Sequence, residues 1–392
     1  MKVKISDLYD VGSSKRVFQS QWRDSGIPFY RAREIAKLST DGFVDNELFI
    51  DEELYESYIA KYGKPQAGDI MITGVGTLGV CYIVRENDKF YFKDGNILWF
   101  RQKAPDRILP QYLVKAFDSK DVKEFISKNS SGTTVGTFTI QTANKMEIEL
   151  PSIEEQRAII SKISLVEEVI RNRKTELQKL DDLIKARFVE MFGDPVTNPM
   201  DWPTKPLLDM GYCKNGMNFH TGDSGIEMHC LGVGDFKDYS VIDGTDYLPM
   251  ISLNETPPEE SMLQDGDIVF VRSNGNKALV GRCLLVYPHN TPTTYSGFCI
   301  RYRLTSAEVN TAYLLRVLKT DSMRKRMAGR GANIQNLNQQ ILAALNIPTP
   351  PLELQEQFAA FVEQVDKSKF AVQKALEKTQ LLFDSLMQEY FG

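Results

Sequence analysis

Apolar residues recur at steps of three, four and seven along the segment 151–193. This spacing places them on one stripe of an α-helix, with polar residues on the remaining surface. Within this segment no proline follows Pro151 and no glycine precedes Gly193, so no residue inside it would interrupt a helix. At 1.5 Å per residue it would be roughly 55 Å long, and its narrow apolar stripe requires a partner. The stripe is predicted at Ile163, Val166, Ile170, Leu177, Leu180 and Ile184.

A second segment of the same type occupies residues 351–392. Both segments begin with proline followed by acidic residues and glutamine, and both close on Phe-Gly, at 192–193 and 391–392. We therefore expect a second long helix that pairs antiparallel with the first, so that an approximate twofold axis relates two similar halves. The apolar stripe of this second helix, which with the first forms the seam between the helices, is predicted at Phe358, Phe361, Val365, Val372, Leu382 and Leu386.

Before each long helix the pattern is that of a mixed α/β domain. In the first half, short β-type runs at 68–73, 80–84, 89–92 and 96–100 alternate with turn residues, and helical patterns flank them. The fold class is therefore predicted as α+β, with two similar mixed α/β domains joined by two long antiparallel coiled-coil helices. The predicted boundaries are 1–150 for the first domain, 151–197 for the first long helix and a proline-rich linker, 198–350 for the second domain and 351–392 for the C-terminal helix.

Landmarks of the first half return in the second at a nearly constant offset, between 198 and 201 residues. Between these landmarks the two halves differ freely, as expected if the architecture is repeated while one surface varies. The chain is therefore predicted to be an internal repeat. The matched landmarks are Gly68 with Gly266, Tyr112 with Tyr313, Gln156 with Gln357 and Gly193 with Gly392.

Composition is that of an ordinary globular protein, with 42% hydrophobic and 25% charged residues among 392. No segment approaches the ~18 consecutive apolar residues of a membrane span. The five cysteines include no C-x-x-C pair, which favours a reducing compartment, and we expect a cytoplasmic protein. A net charge of -5 argues mildly against nucleic acid, although the segment 316–331 is strongly basic.

No catalytic or metal-binding constellation is evident in the sequence. The GVGTLG run at 74–79 matches a dinucleotide-binding fingerprint, but β-type residues follow it where such a site requires a helix. We interpret this run as a loop between strands. The three histidines have neither the spacing of a helical zinc site nor neighbouring cysteine pairs. We therefore expect no metal site and no enzymatic activity in this chain.

Polar, glycine-containing loops recur at matched places in the two halves. Their side chains are those that reach phosphates and base edges, and glycine lets a backbone approach a ligand closely. Any single loop is compatible with a simple turn, but six loops at matched places favour a binding face. The candidate DNA-binding residues are Lys15, Arg16, Thr73, Thr77, Ser130, Ser131, Thr133 and Thr134 in the first half, and Lys214, Asn218, Arg272, Asn274, Asn276, Lys277, Arg330, Asn333, Gln335 and Asn336 in the second.

The chain contains the same ordered set of features twice: a domain, a polar loop, an apolar strand, a proline-glutamine junction and a long helix. This repeated order resembles the specificity subunit of a type I restriction-modification system. The resemblance covers the whole chain and is carried by the junctions LPSIEEQ at 150–156 and IPTPPL at 347–352, and by GRGANIQNLNQQILAALNI before the second junction. It implies a non-catalytic protein with two target recognition domains. Each would recognise one half of a bipartite, asymmetric DNA site through the major groove, and the helices would set the spacing between the halves.

The same resemblance implies partners. Double-stranded DNA would be the ligand, and two copies of a modification (methyltransferase) subunit would dock on the helices. That subunit would carry S-adenosylmethionine and methylate a flipped adenine, so this chain would need no cofactor. A restriction (motor and nuclease) subunit would complete the complex, and no membrane is expected. The alternative is a coiled-coil scaffold whose two heads bind protein or another ligand and have no DNA role, which the pI of about 5.5 favours and the matched polar loops disfavour.

Overall fold

The computed structural model of the chain describes residues 2–130, 136–220, 222–236, 240–328 and 336–392. The chain forms two compact units. Unit 1 comprises Met1–Thr175 and Gln373–Gly392, and unit 2 comprises Glu176–Val372. Each unit therefore contains a mixed α/β domain and a part of each long helix.

Unit 1 begins with a domain of short strands and helices. Its strands are β1 (Lys2–Lys4), β2 (Tyr9–Gly12), β3 (Ile27–Tyr30), β4 (Phe49–Ile50), β5 (Ile70–Thr73), β6 (Cys81–Ile83), β7 (Tyr91–Phe92), β8 (Ile97–Gln102) and β9 (Glu147–Glu149). Its helices are α1 (Ile5–Leu8), α2 (Ala32–Asp41), α3 (Glu52–Tyr62), α4 (Pro110–Asp118), α5 (Lys120–Asn129) and α6 (Ile140–Lys145). The first long helix, α7 (Ile153–Phe192), follows β9.

The strands of unit 1 form three small sheets, with strand orders β2-β8-β5-β6, β4-β3-β7 and β1-β9. All four β-type runs predicted from the sequence contain strands, namely β5 to β8. The GVGTLG run joins the antiparallel strands β5 and β6, which confirms that it is a loop between strands. The core of this domain lies between the first sheet and the helices α4 and α5, where Phe100 and Phe117 pack with their ring centroids 6.0 Å apart.

Unit 2 repeats the order of the paired strands and of the helices after the largest sheet, but its described residues form no α-helix at the places of α1, α2 and α3. Its strands are β10 (Thr204–Pro206), β11 (Gly211–Asn215), β12 (Ile226–Leu231), β13 (Val241–Asp243), β14 (Met250–Leu253), β15 (Asp267–Val271), β16 (Cys283–Tyr287), β17 (Thr293–Tyr295), β18 (Cys299–Leu304) and β19 (Asn346–Pro348). Its helices are α8 (Thr311–Lys319), α9 (Asp321–Ala328), α10 (Gln339–Ala343) and the second long helix, α11 (Leu352–Phe391), which extends into unit 1.

The sheets of unit 2 have the orders β11-β18-β15-β16-β13, β14-β12-β17 and β10-β19. Each matches a sheet of unit 1 strand for strand, except that β13 extends the largest sheet by a parallel pairing with β16. The second sheet also keeps its mixed pairing, because β12 is parallel to β17 as β3 is to β7. The internal repeat predicted from the sequence is therefore confirmed at the level of topology.

The long helices begin and end where local chemistry predicts. At the start of α7, Glu155 and Ser152 form a reciprocal capping box, in which the Ser152 N–H donates to the Glu155 carboxylate at 2.8 Å and the Glu155 N–H donates to the Ser152 hydroxyl at 3.3 Å. At its end, Gly193 adopts φ +74°, a left-handed conformation that favours glycine, and its N–H donates to the Val189 carbonyl at 2.9 Å. Pro195 prevents continuation of the helix beyond this cap.

Within each unit the two long helices pack antiparallel. In unit 1 the Lys162 ammonium is 3.1 Å from the Tyr390 hydroxyl, and in unit 2 the Lys369 ammonium is 2.6 Å from the Asp181 carboxylate. The predicted seam is mostly buried. Fully or nearly fully buried members are Ile163, Ile170, Ile184, Phe358 and Val365, and partly buried members are Val166, Leu177, Leu180, Phe361, Val372 and Leu386.

The predicted seam is wrong at one position, because the Leu382 side chain is 51% exposed. A step of ten residues from Val372 turns an α-helix well short of three full turns, whereas a step of eleven completes them. Phe383, eleven residues on, is accordingly partly buried, and Met387 is 7% exposed. The sequence also missed Phe188 and Phe192, whose rings pack on Phe358 in unit 2 at centroid distances of 5.5 and 5.6 Å.

Among the described residues, no helix is both long enough and apolar enough to cross a membrane.

Candidate nucleic-acid interface

The polar loops of unit 1 meet at one edge of the β2-β8-β5-β6 sheet. The Ser13 hydroxyl donates to the Ile97 carbonyl at 2.9 Å, which ties the loop after β2 to the start of β8. The Gly74 N–H donates to the Asn96 carbonyl at 2.8 Å, and the Phe138 N–H donates to the Gly74 carbonyl at 3.0 Å. The loops after β2 and β5, the turn before β8 and the segment before α6 therefore form one cluster, here called loop cluster 1.

Unit 2 brings its polar loops together at the equivalent sheet edge. The Arg272 N–H donates to the Phe298 carbonyl at 2.8 Å, the Leu337 N–H donates to the Arg272 carbonyl at 2.8 Å, and the Gly297 N–H donates to the Met217 carbonyl at 2.6 Å. The loops after β11 and β15, the turn before β18 and the segment before α10 form loop cluster 2. It has the same construction as loop cluster 1, with Arg272 at the place of Gly74.

Loop cluster 1 presents both basic candidates of unit 1 to solvent. Lys15 is held through its backbone N–H, which donates to the Tyr91 hydroxyl at 3.0 Å, so its exposed side chain extends from a fixed point. The Arg16 guanidinium is 3.0 Å from the Asp94 carboxylate. Thr77 is exposed at the tip of the loop between β5 and β6, and the Ser130 hydroxyl donates to the Ser127 carbonyl at 3.0 Å.

Thr73 does not take part in a binding face, in contrast to the prediction. Its side chain is 1% exposed, and its hydroxyl accepts a hydrogen bond from the Val80 N–H at 3.0 Å while donating to the Thr77 carbonyl. The hydroxyl is therefore used inside the loop, where it fixes the turn that carries Thr77. Sequence alone did not distinguish a loop-forming threonine from a ligand-binding one.

In loop cluster 2, Arg272 is partly exposed and donates from Nη1 to the Gly297 carbonyl at 3.1 Å, which leaves other guanidinium N–H groups for a ligand. Asn218 is exposed beside Gly297. The Asn274 side chain accepts a hydrogen bond from the Asn276 N–H at 2.8 Å, which shapes the turn after β15. Asn336 is exposed, and its backbone bridges Ser273.

Lys214 lies within β11 and pairs with the Glu260 carboxylate, whose pKa is lowered mainly by this hydrogen bond. A DNA phosphate would have to compete with Glu260 for this ammonium. The Asn276 side chain accepts from the Ala278 N–H at 3.0 Å. Six candidates lie outside the described residues, as does the Lys277 side chain; the six are Ser131, Thr133, Thr134, Arg330, Asn333 and Gln335.

Each loop cluster also has an exposed phenylalanine nearby that sequence reasoning did not select. Phe298, in the turn before β18, is 61% exposed, and Phe18, two residues after Arg16, is 60% exposed. The sequence signal for Phe298 is its place in a Ser-Gly-Phe turn between two β-type runs. Within the described part of the chain, no group of three or more His, Cys, Asp or Glu side chains is arranged to hold a metal ion.

Residues 1–182 and 248–381 match the sequence profile of the family described as type I restriction modification DNA specificity domain. The chain belongs to this family. A curated relative within the specificity family is the type I restriction enzyme StySPI specificity subunit of Salmonella potsdam, 25% identical over 72% of this chain and 65% of that protein. A putative type I restriction enzyme specificity subunit of Haemophilus influenzae is 32% identical over 40% of this chain and 38% of that protein.

The chain therefore spans less than two thirds of the length of these two curated relatives. Solved structures with the same fold include the type I restriction-modification S subunit from M. genitalium, with a TM-score of 0.56 and 16% identity over 100% of this chain and 96% of that one. A chain from a structural study of complex assembly and conformational transition in the type I R-M system gives a TM-score of 0.61 and 17% identity, over 100% and 97% of the two chains. The predicted fold class is confirmed as that of the specificity family.

Proposed function

We propose that this chain is the sequence-recognition subunit of a type I restriction-modification complex and that each unit reads one half of a bipartite double-stranded DNA site. Membership of the specificity family supports this proposal. The observation that carries it is the pair of loop clusters, which occupy equivalent sheet edges and contain different side chains. A repeated scaffold with a varied binding edge suits the recognition of two unlike half-sites.

The chemistry of the clusters suits DNA. In this proposal the exposed or partly exposed Lys15, Arg16 and Arg272 hold phosphates, while the amide groups of the exposed Asn218 and Asn336 pair with base edges. The acidic partner Asp94 lies against Arg16, so part of the local positive charge is neutralised without DNA. With a net charge of -5, the chain is proposed to share the enclosure of DNA with more basic partner subunits.

The long helices provide surface for those partners. Apolar side chains on α7 and α11 remain exposed in both units, with Leu165 at 63% and Leu381 at 69% in unit 1, and Leu183 at 47% and Val189 at 57% in unit 2. We propose that two copies of the modification subunit dock on these helices and that a restriction subunit completes the complex. In this proposal S-adenosylmethionine and catalysis belong to the modification subunit, and this chain supplies recognition alone.

The test is co-expression with a type I modification subunit from the same organism, followed by mapping of methylated adenines in the host genome. The proposal predicts methylation at a motif of two short specified sequences separated by an unspecified spacer. The matched control expresses the modification subunit without this chain, and we expect it to leave no such motif. Absence of any bipartite motif in the complete complex would favour the alternative, a coiled-coil scaffold with no DNA role.

A further inference from the structure

Phe298 is an exposed apolar side chain in loop cluster 2. It occupies the turn between β17 and β18 and is 61% exposed, although β18 itself begins with the buried residues Cys299 and Ile300. Single exposed apolar residues are common on protein surfaces and by themselves indicate nothing. Here, however, the exposed ring lies at the centre of the polar loops that are proposed to face DNA.

The backbone that carries Phe298 is fixed from several directions. Its carbonyl accepts from the Arg272 N–H at 2.8 Å and the Ser273 N–H at 3.3 Å, and its N–H donates to the Ser296 hydroxyl at 3.3 Å. At the preceding residue, the Gly297 carbonyl accepts from the Arg272 guanidinium at 3.1 Å. The ring is therefore presented from a rigid point, which limits the conformational entropy that a contact would cost.

Gly297 also lacks room for a side chain, because a Cβ atom there would lie 2.1 Å from the Asn218 Oδ1 atom. The close approach of these two loops places the Asn218 amide beside the turn that carries Phe298. Arg272 lies in the loop after β15, and its backbone N–H donates a hydrogen bond to the same turn. A cationic side chain and an amide side chain thus both contact the turn that carries the Phe298 ring.

The ring has no hydrogen-bonding atom, which restricts what it can recognise. Most groups on base edges in the major groove are hydrogen-bond donors or acceptors, whereas the C5-methyl group of thymine is apolar. Resting on the proposed function, we propose that Phe298 is a specificity-determining residue that contacts a thymine methyl group in the half-site read by unit 2.

The equivalent position in unit 1 supports a role in specificity. Asn96 occupies the turn before β8, and its carbonyl accepts from the Gly74 N–H as the Phe298 carbonyl accepts from the Arg272 N–H. The two units therefore hold the same backbone geometry with side chains of opposite chemistry. An asparagine amide pairs with adenine, whereas a phenylalanine ring suits a thymine methyl group.

The experiment uses the complete complex of this chain with its modification subunit. Methylation mapping of the wild-type complex first defines the motif, and a duplex with this motif serves as the binding probe. Each thymine in the two half-sites is then replaced singly by deoxyuridine, which lacks only the methyl group. Binding is measured for the wild type, Phe298→Ala, Phe298→Leu and the control Met250→Ala, whose side chain is 56% exposed and lies on β14 rather than in one of the loops of loop cluster 2.

We expect one thymine, in one half-site, at which deoxyuridine weakens wild-type binding about fourfold, the value for losing the burial of one methyl group. The Phe298→Ala complex should bind the unmodified duplex more weakly and show no further loss at that position, and its methylation motif should become degenerate there. Phe298→Leu should retain part of the discrimination, and Met250→Ala should behave as the wild type.

Two results would overturn the assignment. One is a Phe298→Ala complex with the wild-type response to every deoxyuridine, and the other is a loss of affinity on Phe298→Ala with no methyl-sensitive position in the wild type. Failure of the proposed function itself is distinguishable, because the wild-type complex would then produce no bipartite motif. Thermal unfolding of each variant separates a loss of contact from a loss of fold.

Discussion

Gln156 and Gln355 make the same three backbone hydrogen bonds in the two units. Gln156 accepts from the Leu109 N–H at 2.8 Å and donates to the carbonyls of Arg107 and Pro151 at 2.8 and 2.9 Å. Gln355 accepts from the Asn310 N–H at 2.8 Å and donates to the carbonyls of Glu308 and Pro350 at 3.1 and 2.7 Å. Each glutamine is fully buried and joins the first turn of a long helix to the segment that begins α4 or α8.

This relationship predicts that Gln355→Ala strongly destabilises unit 2. The substitution leaves a buried N–H and two carbonyls without their partner, and we expect the free energy of unfolding to fall by about 2 to 4 kcal/mol. Urea unfolding followed by circular dichroism measures this change. Gln357→Ala is the matched control, because Gln357 is exposed and its loss should change stability by less than about 0.5 kcal/mol. Equal effects of the two substitutions would contradict the prediction.

The sequence alone matched the wrong glutamine. It paired Gln156 with Gln357 because the landmark Tyr112 recurs at Tyr313, an offset of 201 residues. In the structure Glu149 and Pro348 occupy equivalent positions, at an offset of 199. The Tyr112 hydroxyl donates to the Glu149 carbonyl at 3.1 Å, and the Tyr313 hydroxyl donates to the Pro348 carbonyl at 3.0 Å. Unit 2 is therefore two residues shorter between the tyrosine and the strand before the long helix. Gln355, seven residues after Pro348 as Gln156 is after Glu149, is therefore the counterpart of Gln156.

The helices and strands could be predicted from the spacing of apolar residues, because burying one face of a helix or strand imposes its period on the sequence. The loops that form the two clusters were partly predictable, since glycine and polar residues marked them. The role of each side chain was not, because it depends on neighbours distant in sequence. Thr73 faces inward to Val80, Lys214 pairs with Glu260, and the turn that carries the exposed Phe298 is hydrogen-bonded to Arg272.

We predict that Arg272→Ala weakens DNA binding by the complete complex. The guanidinium is anchored to the Gly297 carbonyl and is placed to hold a phosphate, so its loss should cost affinity on all sequences. Titration across a range of salt concentrations should give a slope of log affinity against log salt reduced by about one. Lys205→Ala is the control, because Lys205 lies in β10 and pairs with Glu308. Unchanged affinity of Arg272→Ala would refute the phosphate role.

The cysteines are predicted to react slowly with Ellman's reagent while the protein is folded. Burial raises the pKa of Cys213, Cys230 and Cys299 to about 12 and that of Cys283 to about 11, and it also raises the pKa of Cys81. At pH 8 the reactive thiolate is therefore scarce in the folded chain.

In guanidinium chloride all five thiols should react rapidly, since unfolding restores their ordinary pKa. The raised pKa values also make stability depend on pH. The free energy of unfolding should fall above about pH 9, because the thiols ionise more readily in the unfolded chain than in the folded one. Cys213→Ser is the informative variant, because Cys213 is the partly exposed member and should account for the fastest reaction in the folded protein. Rapid labelling of several thiols in the native protein would contradict the prediction.

The length of the two 40-residue helices is predicted to set the length of the unread DNA spacer. Seven residues inserted between Thr175 and Glu176, and seven between Val372 and Gln373, keep the apolar seams in phase because the seam repeats every seven residues. Each insertion adds roughly 10 Å of helix, which corresponds to about three base pairs of DNA. Methylation mapping should show a spacer lengthened by about that amount between unchanged half-sites. An insertion in α7 alone is the control and should abolish methylation, because the two seams then differ in length. Altered half-sites with an unchanged spacer would refute the dependence of spacing on helix length.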